Sequence, residues 1–362
     1  MAVRVIRNVL WALASFFIGI NSIHAAENRE VVIAQTNLDA LVSHLGSTHA
    51  AKRYKEVHSL IVHAKGQTLA EAYFLGNTDT IDFEGGIKRV AGTPKQWGPE
   101  DKHYVASVTK GVTALLTGIA LAQLDLQATT PVAGLFPENS VFQHQRWTCV
   151  LTIEHLLTMQ AGFEWDEWTG DDLIQLWQSP NFTSYLLSKE NTGVGQRWRY
   201  NSALPNLLLK GLQNRLNVSL DTWADQYFFR PLGIVDYQWA RQPDGTAEGS
   251  ARLHLRPQDM LKIGLLVLNE GRAGEIQLVP QAWIRRMMAV QVEGSAGQYG
   301  YFVWPRKIAG HEYVAFEGDG GQYINVFPIL QLVIVMTQGN YLQWPLYREQ
   351  AEAMMAEFLL AH

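Results

Sequence analysis

The feature that most constrains this chain is an apolar stretch that runs from Ser107 to Leu126 and opens on Ser107-Val108-Thr109-Lys110. If the stretch is one helix, Lys110 lies on the same face as Ser107, because residues three apart share a helix face. A serine hydroxyl is a poor nucleophile until a base takes its proton, and a helix N-terminus stabilises a developing oxyanion. The pattern therefore indicates a nucleophile and its base. Taken alone, the tetrapeptide favours the plainer alternative, an N-capping serine followed by a solvated lysine.

Composition narrows the class of protein. An apolar content of 47% over 362 residues is ample for one large domain or two moderate ones with a substantial core. The 29 basic and 34 acidic residues give a formal net charge of −5, and no basic stripe stands out, which argues against a nucleic-acid or anionic-membrane partner. Cys149 is the only cysteine, so no internal disulfide forms, and we expect it to be a buried apolar filler.

Residues 1–26 have the layout of a secretory signal peptide rather than of a folded segment. Arg4 and Arg7 form a positive n-region, an apolar h-region follows from Val9 to Ile20, and His24-Ala25-Ala26 supplies small residues for cleavage. We therefore expect a secreted or periplasmic protein whose mature chain is 27–362. An uncleaved N-terminal anchor is the alternative, although the apolar run is short for a membrane span.

Hydrophobic periodicity predicts strands near both ends of the mature chain and helices between them. The predicted strands are Val57–Ala64, Thr68–Phe74, Tyr299–Trp304, Tyr313–Phe316, Gln322–Phe327 and Leu332–Thr337. The predicted helices, besides the one that opens at Ser107, are Asn37–His49, Thr152–Met159, Asn206–Leu216, Leu220–Phe229, Pro257–Asn269, Pro280–Met288 and Leu346–Leu360. This order indicates one α+β domain, with a sheet region at about 50–125 and 270–362, a helical region at about 126–269, and the active site where the two meet.

A second candidate group is Tyr200, in Arg199-Tyr200-Asn201-Ser202 just before a predicted helix. A phenol beside a serine–lysine pair could shuttle the proton between the nucleophile and the leaving group. Its usual pKa of about 10 would have to be lowered for that role, and the ammonium of Lys110 would supply the charge that lowers it. The alternative is an interfacial tyrosine packed at a helix start.

A third candidate is the glycine-rich segment Glu317-Gly318-Asp319-Gly320-Gly321-Gln322, between two predicted strands. Glycines so closely spaced indicate that the backbone approaches a neighbour closely or takes positive φ. One use is to present a strand-edge N–H as the second donor of an oxyanion hole. The alternative is a tight hairpin turn.

The three segments, in this order, resemble the motifs of the serine β-lactamase-like superfamily, which includes class C β-lactamases, low-molecular-weight D-Ala-D-Ala peptidases, esterases and aminohexanoate-dimer hydrolases. The resemblance spans residues 55–360 and looks closest to the aminohexanoate-dimer hydrolases. The segments that carry it are Ser107–Thr113, Thr152–Met159 with Gly162–Glu167, Leu255–Met260, Tyr299–Tyr301 and Gly320–Gln322. It implies a β-lactamase/transpeptidase-like fold, in which a mainly antiparallel sheet, built from both chain ends, is flanked by helices and carries an inserted all-helical subdomain.

The resemblance also implies a role for each motif residue. Ser107 would be the acylated nucleophile, Lys110 its general base, and Tyr200 the group that assists acylation and deacylation. The backbone N–H groups of Ser107 and Asp319 would form the oxyanion hole. No metal or cofactor is implied, and the expected partner is a small ester or amide substrate.

Two departures from the family pattern bear on the substrate. Ser202 stands where the lactamases and peptidases have Asn, and Phe316 stands where they have Lys or His. The expected substrate cleft is lined by Ser202, Phe316, Glu317, Gly318 and Gly320. Phenylalanine cannot pair with a substrate carboxylate, and Glu317 and Asp319 would repel one if they faced the cleft. The sequence therefore favours an ester or amide that is neutral near the scissile bond, over a β-lactamase, a D-Ala-D-Ala peptidase or a catalytically silent binding member of the fold.

Other polar residues fit structural roles better. We expect His155 in a packing helix and His103 in a loop before the nucleophile helix. Trp304 either flanks the cleft or, as is commoner, lies in the core. An acidic cluster lacks regular ligand spacing, so we expect it to cap helices and line the mouth of the cleft rather than to hold a metal. Its members are Glu164, Asp166, Glu167, Asp171 and Asp172.

Overall fold

The computed structural model describes residues 33–47, 53–83, 86–137, 147–168 and 171–359. The predicted signal peptide, residues 1–26, lies outside the described residues, as do the last positions of two predicted helices, 48–49 and 360. Within the described part of the chain, no helix is both long enough and apolar enough to cross a membrane.

Helices and strands are numbered in chain order. The helices are α1 (Gln35–Leu45), α2 (Val108–Leu124), α3 (Ile153–Leu157), α4 (Asp172–Gln178), α5 (Phe182–Leu187), α6 (Ala203–Leu216), α7 (Leu220–Ala224, continued as a π-helical turn over Asp225–Phe229), α8 (Pro257–Leu268), α9 (Gln281–Met288) and α10 (Leu346–Phe358), with a 3₁₀ turn at Val132–Leu135. The strands are β1 (Val57–Ala64), β2 (Gln67–Tyr73), β3 (Leu75–Asn77), β4 (Thr80–Asp82), β5 (Lys88–Val90), β6 (Pro94–Gln96), β7 (His103–Tyr104), β8 (Gln238–Trp239), β9 (Leu253–Leu255), β10 (Arg272–Ala273), β11 (Ile276–Gln277), β12 (Val292–Gly294), β13 (Gly297–Tyr299), β14 (Trp304–Ile308), β15 (His311–Gly318), β16 (Gln322–Phe327) and β17 (Leu332–Gln338).

A six-stranded antiparallel sheet forms the centre of the fold and combines the two ends of the chain. Its spatial order is β14-β15-β16-β17-β1-β2. The central pair joins β1 to β17, in a register that runs from Ser59 opposite Thr337 to Ala64 opposite Leu332. The other neighbours follow one another in sequence, because antiparallel strands need only short connections.

The two faces of the sheet pack against different helices. Side chains alternate along a strand, so Val314 and Phe316 of β15 join the core that contains α2 and α8. Tyr313 and Ala315 point the other way and join a second core with α1 and α10. The helical region between β7 and β14 covers the first face, which is therefore the face on which the Ser107 helix lies.

Helix α2 is enclosed by the rest of the fold. Every residue from Val108 to Leu121 is buried, as expected for a helix that is apolar on all sides. Gly111 allows α2 to lie close to β15, because a Cβ at that position would come within 2.1 Å of the Phe316 ring. Asp125, in the left-handed conformation with φ 52°, ends the helix at the predicted residue.

The α+β class, with strands from both chain ends and helices between them, is confirmed. The predicted strand Tyr299–Trp304 is wrong, because β13 ends at Tyr299 and β14 begins at Trp304. Between them the chain turns, with Phe302 at φ 57° and the Gly300 N–H bonded to the Val303 carbonyl at 2.9 Å. The aromatic run is buried by tertiary packing rather than by strand alternation, and composition alone does not distinguish the two.

Two single-residue expectations are also corrected. His103 is not in a loop but in β7, where it pairs with Leu255 of β9. Cys149 is exposed rather than buried, because it lies in a surface turn that precedes α3.

Candidate active site

The turn before α2 holds Ser107 in an unusual backbone setting. The preceding residue, Ala106, has φ 46°, in the left-handed region that residues with a side chain rarely adopt. Thr109 Oγ1 donates a hydrogen bond to the Ala106 carbonyl at 2.7 Å and thereby supports the turn. The Ser107 N–H has no acceptor among the described residues. It is therefore available to an oxyanion at the positive end of α2.

The structure places the Lys110 amine beside the Ser107 hydroxyl. Lys110 Nζ is 2.9 Å from Ser107 Oγ and 2.9 Å from the carbonyl oxygen of Ser250. The side chain is 1% exposed, and burial lowers the pKa of Lys110 to about 8, although the carboxylates of Glu167 and Glu248 raise it. Much of the lysine is therefore neutral in mildly alkaline solution, and a neutral amine can accept the serine proton.

Tyr200 comes to the same point from the loop before α6. Its phenol is within hydrogen-bonding reach of the Ser107 side chain, and Lys110 Nζ is 4.8 Å from the centre of its ring. Trp168 and Trp304 stack on that ring with centroids 5.7 and 6.1 Å away. Burial is the main cause that raises the pKa of Tyr200 well above its usual range, so the expectation that Lys110 lowers it is wrong. The phenol therefore keeps its proton and is able to donate it in a hydrogen bond.

The end of β15 lies directly against the Ser107 turn. A Cβ on Gly318 would be 2.3 Å from the Val105 carbonyl oxygen, so only glycine permits this approach. The next residue, Asp319, follows this contact with the turn, and its N–H also lacks an acceptor within the described chain. The Ser107 and Asp319 N–H groups, which the family resemblance names as the oxyanion hole, thus both lack an acceptor in the part of the chain that the structure describes.

The carboxylates that follow Phe316 are held by protein groups. Glu317 forms an ion pair with Arg306 and accepts a hydrogen bond from the Tyr323 hydroxyl at 3.3 Å. The Asp319 carboxylate accepts the Leu342 N–H at 3.0 Å, and burial raises its pKa to about 6. Neither group presents an unpartnered charge to a substrate.

Phe316 does not line the cleft, which corrects the expectation. Its ring is 1% exposed and packs against Gly111, because strand alternation turns it toward α2. Gly320 is covered as well, since a Cβ there would be 2.3 Å from the Tyr341 ring. Of the five predicted cleft residues, Gly318 and Gly320 allow the backbone to pack closely against Val105 and Tyr341. The Phe316 and Glu317 side chains contact Gly111 and Arg306 instead of a substrate cleft.

Ser202 donates its hydrogen bonds to a carboxylate, that of Glu167, which the sequence did not link to it. Its Oγ donates to Glu167, and its N–H donates to Glu167 Oε2 at 3.0 Å. Trp165 Nε1 donates to the same oxygen at 2.7 Å. Glu167 is 8% exposed and therefore anchors the start of α6 beside Tyr200 rather than lining an open mouth. Its position in an acidic run concealed this role, because only folding brings residues 167 and 202 together.

The sequence also did not indicate the loop that holds Lys110. Glu248 is fully buried, and its carboxylate accepts N–H groups of Ser250, Ala251 and Arg252 at 3.0, 2.7 and 2.6 Å. These bonds orient the Ser250 carbonyl toward Lys110. No local motif predicts the contact, since the two residues are 140 positions apart.

Residues expected to be structural have structural contacts. His155 Nδ1 accepts the Thr152 N–H at 3.1 Å, in a capping box at the start of α3. Glu164 forms ion pairs with Arg197 and Arg199 at 2.8 and 2.7 Å. Asp171 precedes α4 but makes no capping hydrogen bond, contrary to expectation. Among the described residues, no group of three or more His, Cys, Asp or Glu side chains is arranged to hold a metal ion.

Comparisons with solved structures show the same fold. A protein of Bacillus anthracis described as a candidate 6-aminohexanoate-dimer hydrolase matches 83% of this chain and 78% of its own, with TM-score 0.68 and 18% identity. EstCE1, a hydrolase with promiscuous acyltransferase activity, matches 90% of this chain and all of its own, with TM-score 0.69 and 14% identity. The octameric penicillin-binding protein homologue from Pyrococcus abyssi matches 88% of this chain and 76% of its own, with TM-score 0.66 and 17% identity.

A search of the curated proteins gave no match. The family model described as Beta-lactamase matches residues 51–351, which include every motif that carries the resemblance. The implied β-lactamase/transpeptidase-like fold is confirmed by these matches. The chain therefore belongs to the beta-lactamase family.

Proposed function

We propose that this protein is a serine hydrolase that cleaves an ester or amide bond through a covalent acyl-enzyme on Ser107. The observation that carries the proposal is the 2.9 Å contact between Lys110 Nζ and Ser107 Oγ, made by a lysine that is 1% exposed. A solvated lysine after an N-capping serine, the plainer alternative, would be exposed. Ser107 also makes no side-chain capping hydrogen bond to α2.

Acylation uses the three side chains in turn. The neutral Lys110 amine accepts the Ser107 proton while Oγ attacks the substrate carbonyl carbon, and the resulting oxyanion is bound by the N–H groups of Ser107 and Asp319. Collapse of this intermediate breaks the bond to the leaving group. The Tyr200 phenol protonates the departing oxygen or nitrogen, and the Lys110 ammonium returns a proton to Tyr200.

Deacylation reverses these roles with water as the nucleophile. Water gives a proton to Lys110 as it attacks the acyl carbon, and the Ser107 Oγ leaves as the second tetrahedral intermediate collapses. Lys110 then returns the proton to Ser107, so the enzyme regains its starting state. Ser107, Lys110 and Tyr200 therefore carry every proton transfer of this cycle, with water as the second reactant.

The reaction class is proposed over β-lactam hydrolysis because of Phe316. Phe316 stands at the position where the lactamases and peptidases of the resemblance have Lys or His. Its ring is buried against α2, so it supplies no partner for a substrate carboxylate. A silent binding protein, the other alternative, would have no use for a buried lysine that costs free energy to desolvate.

The test is a substrate panel with a covalent probe. The mature protein is assayed on p-nitrophenyl esters, aminohexanoate oligomers and nitrocefin, and a fluorophosphonate is used to label the tryptic peptide His103–Lys110. We expect ester or amide turnover and labelling that both disappear in Ser107→Ala. Ser184→Ala, a change at an exposed serine of α5, is the matched control. Labelling or turnover that survives Ser107→Ala overturns the assignment.

We also propose that the protein is exported to the periplasm or secreted, on the basis of the charged and apolar pattern of residues 1–26. The test is the N-terminal sequence of the protein purified from an expressing cell's periplasmic or secreted fraction. A mature N-terminus at Ala26 or Glu27 supports export with cleavage after Ala25 or Ala26. An intact Met1 on a membrane-bound product favours the uncleaved anchor instead.

A further inference from the structure

A cavity of about 350 Å³ is lined in part by β7, which precedes the nucleophile turn, and by β9. Tyr104 lines it and stands three residues before Ser107, and Arg252 lines it two residues after Ser250. Tyr341 lines it too, and the Tyr341 ring packs against Gly320, next to Asp319. Three of the lining residues are therefore next to the active-site segments, Tyr104 and Arg252 along the chain and Tyr341 through its ring contact with Gly320.

The cavity has the lining that binding sites for small molecules share. Aromatic rings form much of its wall, and they come from Phe83, Trp97, Tyr104 and Tyr341. Its volume and apolar lining, with a few charged groups, are typical of a ligand pocket. A larger cavity, about 530 Å³, lies between Leu268 and Pro328, at the opposite end of β16 from the catalytic groups.

One cation in the cavity lining lacks a carboxylate partner. Lys102 is paired with Asp236 at 2.5 Å, and Asp79 is paired with Arg89. Arg252 forms no ion pair among the described residues, and its guanidinium donates one hydrogen bond, from Nη2 to the Arg241 carbonyl at 3.2 Å. The other two nitrogens, Nε and Nη1, have no acceptor among the described residues, and Nε is fully buried.

The groups around Arg252 leave its unused donors without an acceptor among the described residues. Glu248 attracts Arg252 through space and offsets part of its charge, but its carboxylate oxygens accept N–H groups of the loop rather than the guanidinium donors. The guanidinium carbon lies 5.6 Å from the centre of the Trp177 ring, a cation–π contact that does not neutralise the charge. A planar guanidinium with unused donors at the wall of an apolar cavity is suited to a carboxylate.

We propose that this cavity holds the acyl part of the substrate and that Arg252 selects an acyl group whose far end carries a carboxylate. The proposal rests on the hydrolase function proposed above. It agrees with a neutral scissile bond, because the selected charge lies at the end of the acyl chain and not beside the carbonyl carbon. Arg252 acts as a specificity residue and takes no part in bond breaking.

The experiment compares two esters that differ only at the chain end. The p-nitrophenyl ester of hexanoic acid and the mono-p-nitrophenyl ester of adipic acid have the same leaving group and the same number of carbons, so their ratio of kcat/KM measures recognition of the terminal carboxylate. Spontaneous hydrolysis is subtracted with Ser107→Ala. Arg252→Gln is the test variant, because its backbone N–H bond to Glu248 is retained, and Arg215→Gln, at an exposed position of α6, is the control.

We expect the native enzyme to prefer the adipate ester, and the ratio to fall about ten- to a hundredfold in Arg252→Gln but not in Arg215→Gln. Because the ratio is taken within one protein sample, partial unfolding of a variant does not change it. A native preference for the hexanoate ester, or a ratio that Arg252→Gln leaves unchanged, overturns the proposal while leaving the hydrolase function intact.

A binding measurement separates the two proposals if neither ester is hydrolysed. Adipic acid monoanilide and hexanoic anilide are titrated by calorimetry into Ser107→Ala and into Ser107→Ala combined with Arg252→Gln. Tighter binding of the adipic compound that is lost with Arg252 supports the cavity assignment even when turnover is absent. Equal binding of the two compounds overturns it.

Discussion

The carbonyl oxygen of Ser250 lies 2.9 Å from Lys110 Nζ, the same distance that separates that amine from Ser107 Oγ. A second bond joins the same two elements, because Thr113 Oγ1 donates to the Gly249 carbonyl at 2.8 Å. The Gly249 N–H in turn donates to Asn206 Oδ1 at 2.6 Å. The proposed base is therefore held in place by a loop that Glu248 shapes and that α6 anchors.

Replacing the proposed base with a cation that cannot act as one tests its role. Lys110→Arg retains the charge, but a guanidinium does not give up its proton in proteins, so acylation should fall by about 10²–10⁴-fold. The measurement is the rate of fluorophosphonate labelling of Ser107, with Lys210→Arg as the control. Near-native labelling in Lys110→Arg would place the base elsewhere. His103, the next candidate by sequence, is buried beside Thr337.

The pH dependence of the native enzyme follows from the lysine pKa. A general base works in its deprotonated form, so kcat/KM on a neutral ester should rise with pH and level off above the Lys110 pKa of about 8. The measurement is a pH profile between pH 5 and 10 on an ester without titratable groups. A rise in kcat/KM centred near pH 6 instead would indicate that the base is a carboxyl group such as Asp319, whose pKa is raised to about 6.

Glu248 should change that profile although it touches no substrate in the proposed mechanism. Its carboxylate raises the pKa of Lys110, so Glu248→Gln should move the limb of the profile to lower pH. It should also lower kcat about tenfold, because the Ser250 carbonyl loses part of its anchor. Glu190→Gln, at an exposed position, is the control. A lower kcat with an unmoved limb would mean that Glu248 supports the loop without affecting the lysine charge.

The approach of β15 to the nucleophile turn can be tested at one glycine. In Gly318→Ala the new Cβ would lie 2.3 Å from the Val105 carbonyl oxygen, so the strand end must move away from Ser107. The Asp319 N–H would move with it, and kcat should fall by about 10²–10³-fold, the usual effect of losing one oxyanion donor. Gly134→Ala, which has open space around the added Cβ, is the control. Unchanged kcat in Gly318→Ala would remove Asp319 from the oxyanion hole.

Introducing the family's cation at residue 316 should destabilise this protein rather than extend its substrates. In Phe316→Lys an ammonium would replace a ring that packs against Gly111, and burying an unpaired charge costs several kcal/mol. We therefore expect a large drop in the urea midpoint and no gain on nitrocefin, whereas Phe316→Leu should cost much less. A stable Phe316→Lys variant that hydrolyses nitrocefin faster would show that residue 316 can reach the cleft.

Much of this protein was predictable from local sequence because its signals are local. The Ser107–Lys110 spacing determines a shared helix face, the apolar run Gln322–Phe327 is predicted as a strand to the residue, and Asp125 marks the end of α2. Three short segments in order, together with the further matching segments along the chain, indicated the family. The aromatic run from Tyr299 to Trp304 was misread for the same reason, since its composition is that of a strand and its turn is imposed by packing.

What only the tertiary structure decided are the relations between distant residues. The partners of Lys110 and Ser202, namely Ser250 and Glu167, are separated from them by 140 and 35 positions, and no periodicity links such pairs. The protonation states were decided in the same way: burial lowers the pKa of Lys110 and raises that of Tyr200, opposite to the expectation for the tyrosine. Desolvation depends on everything that surrounds a group, so a chain can specify which residues carry the chemistry while only the packed fold sets their charge.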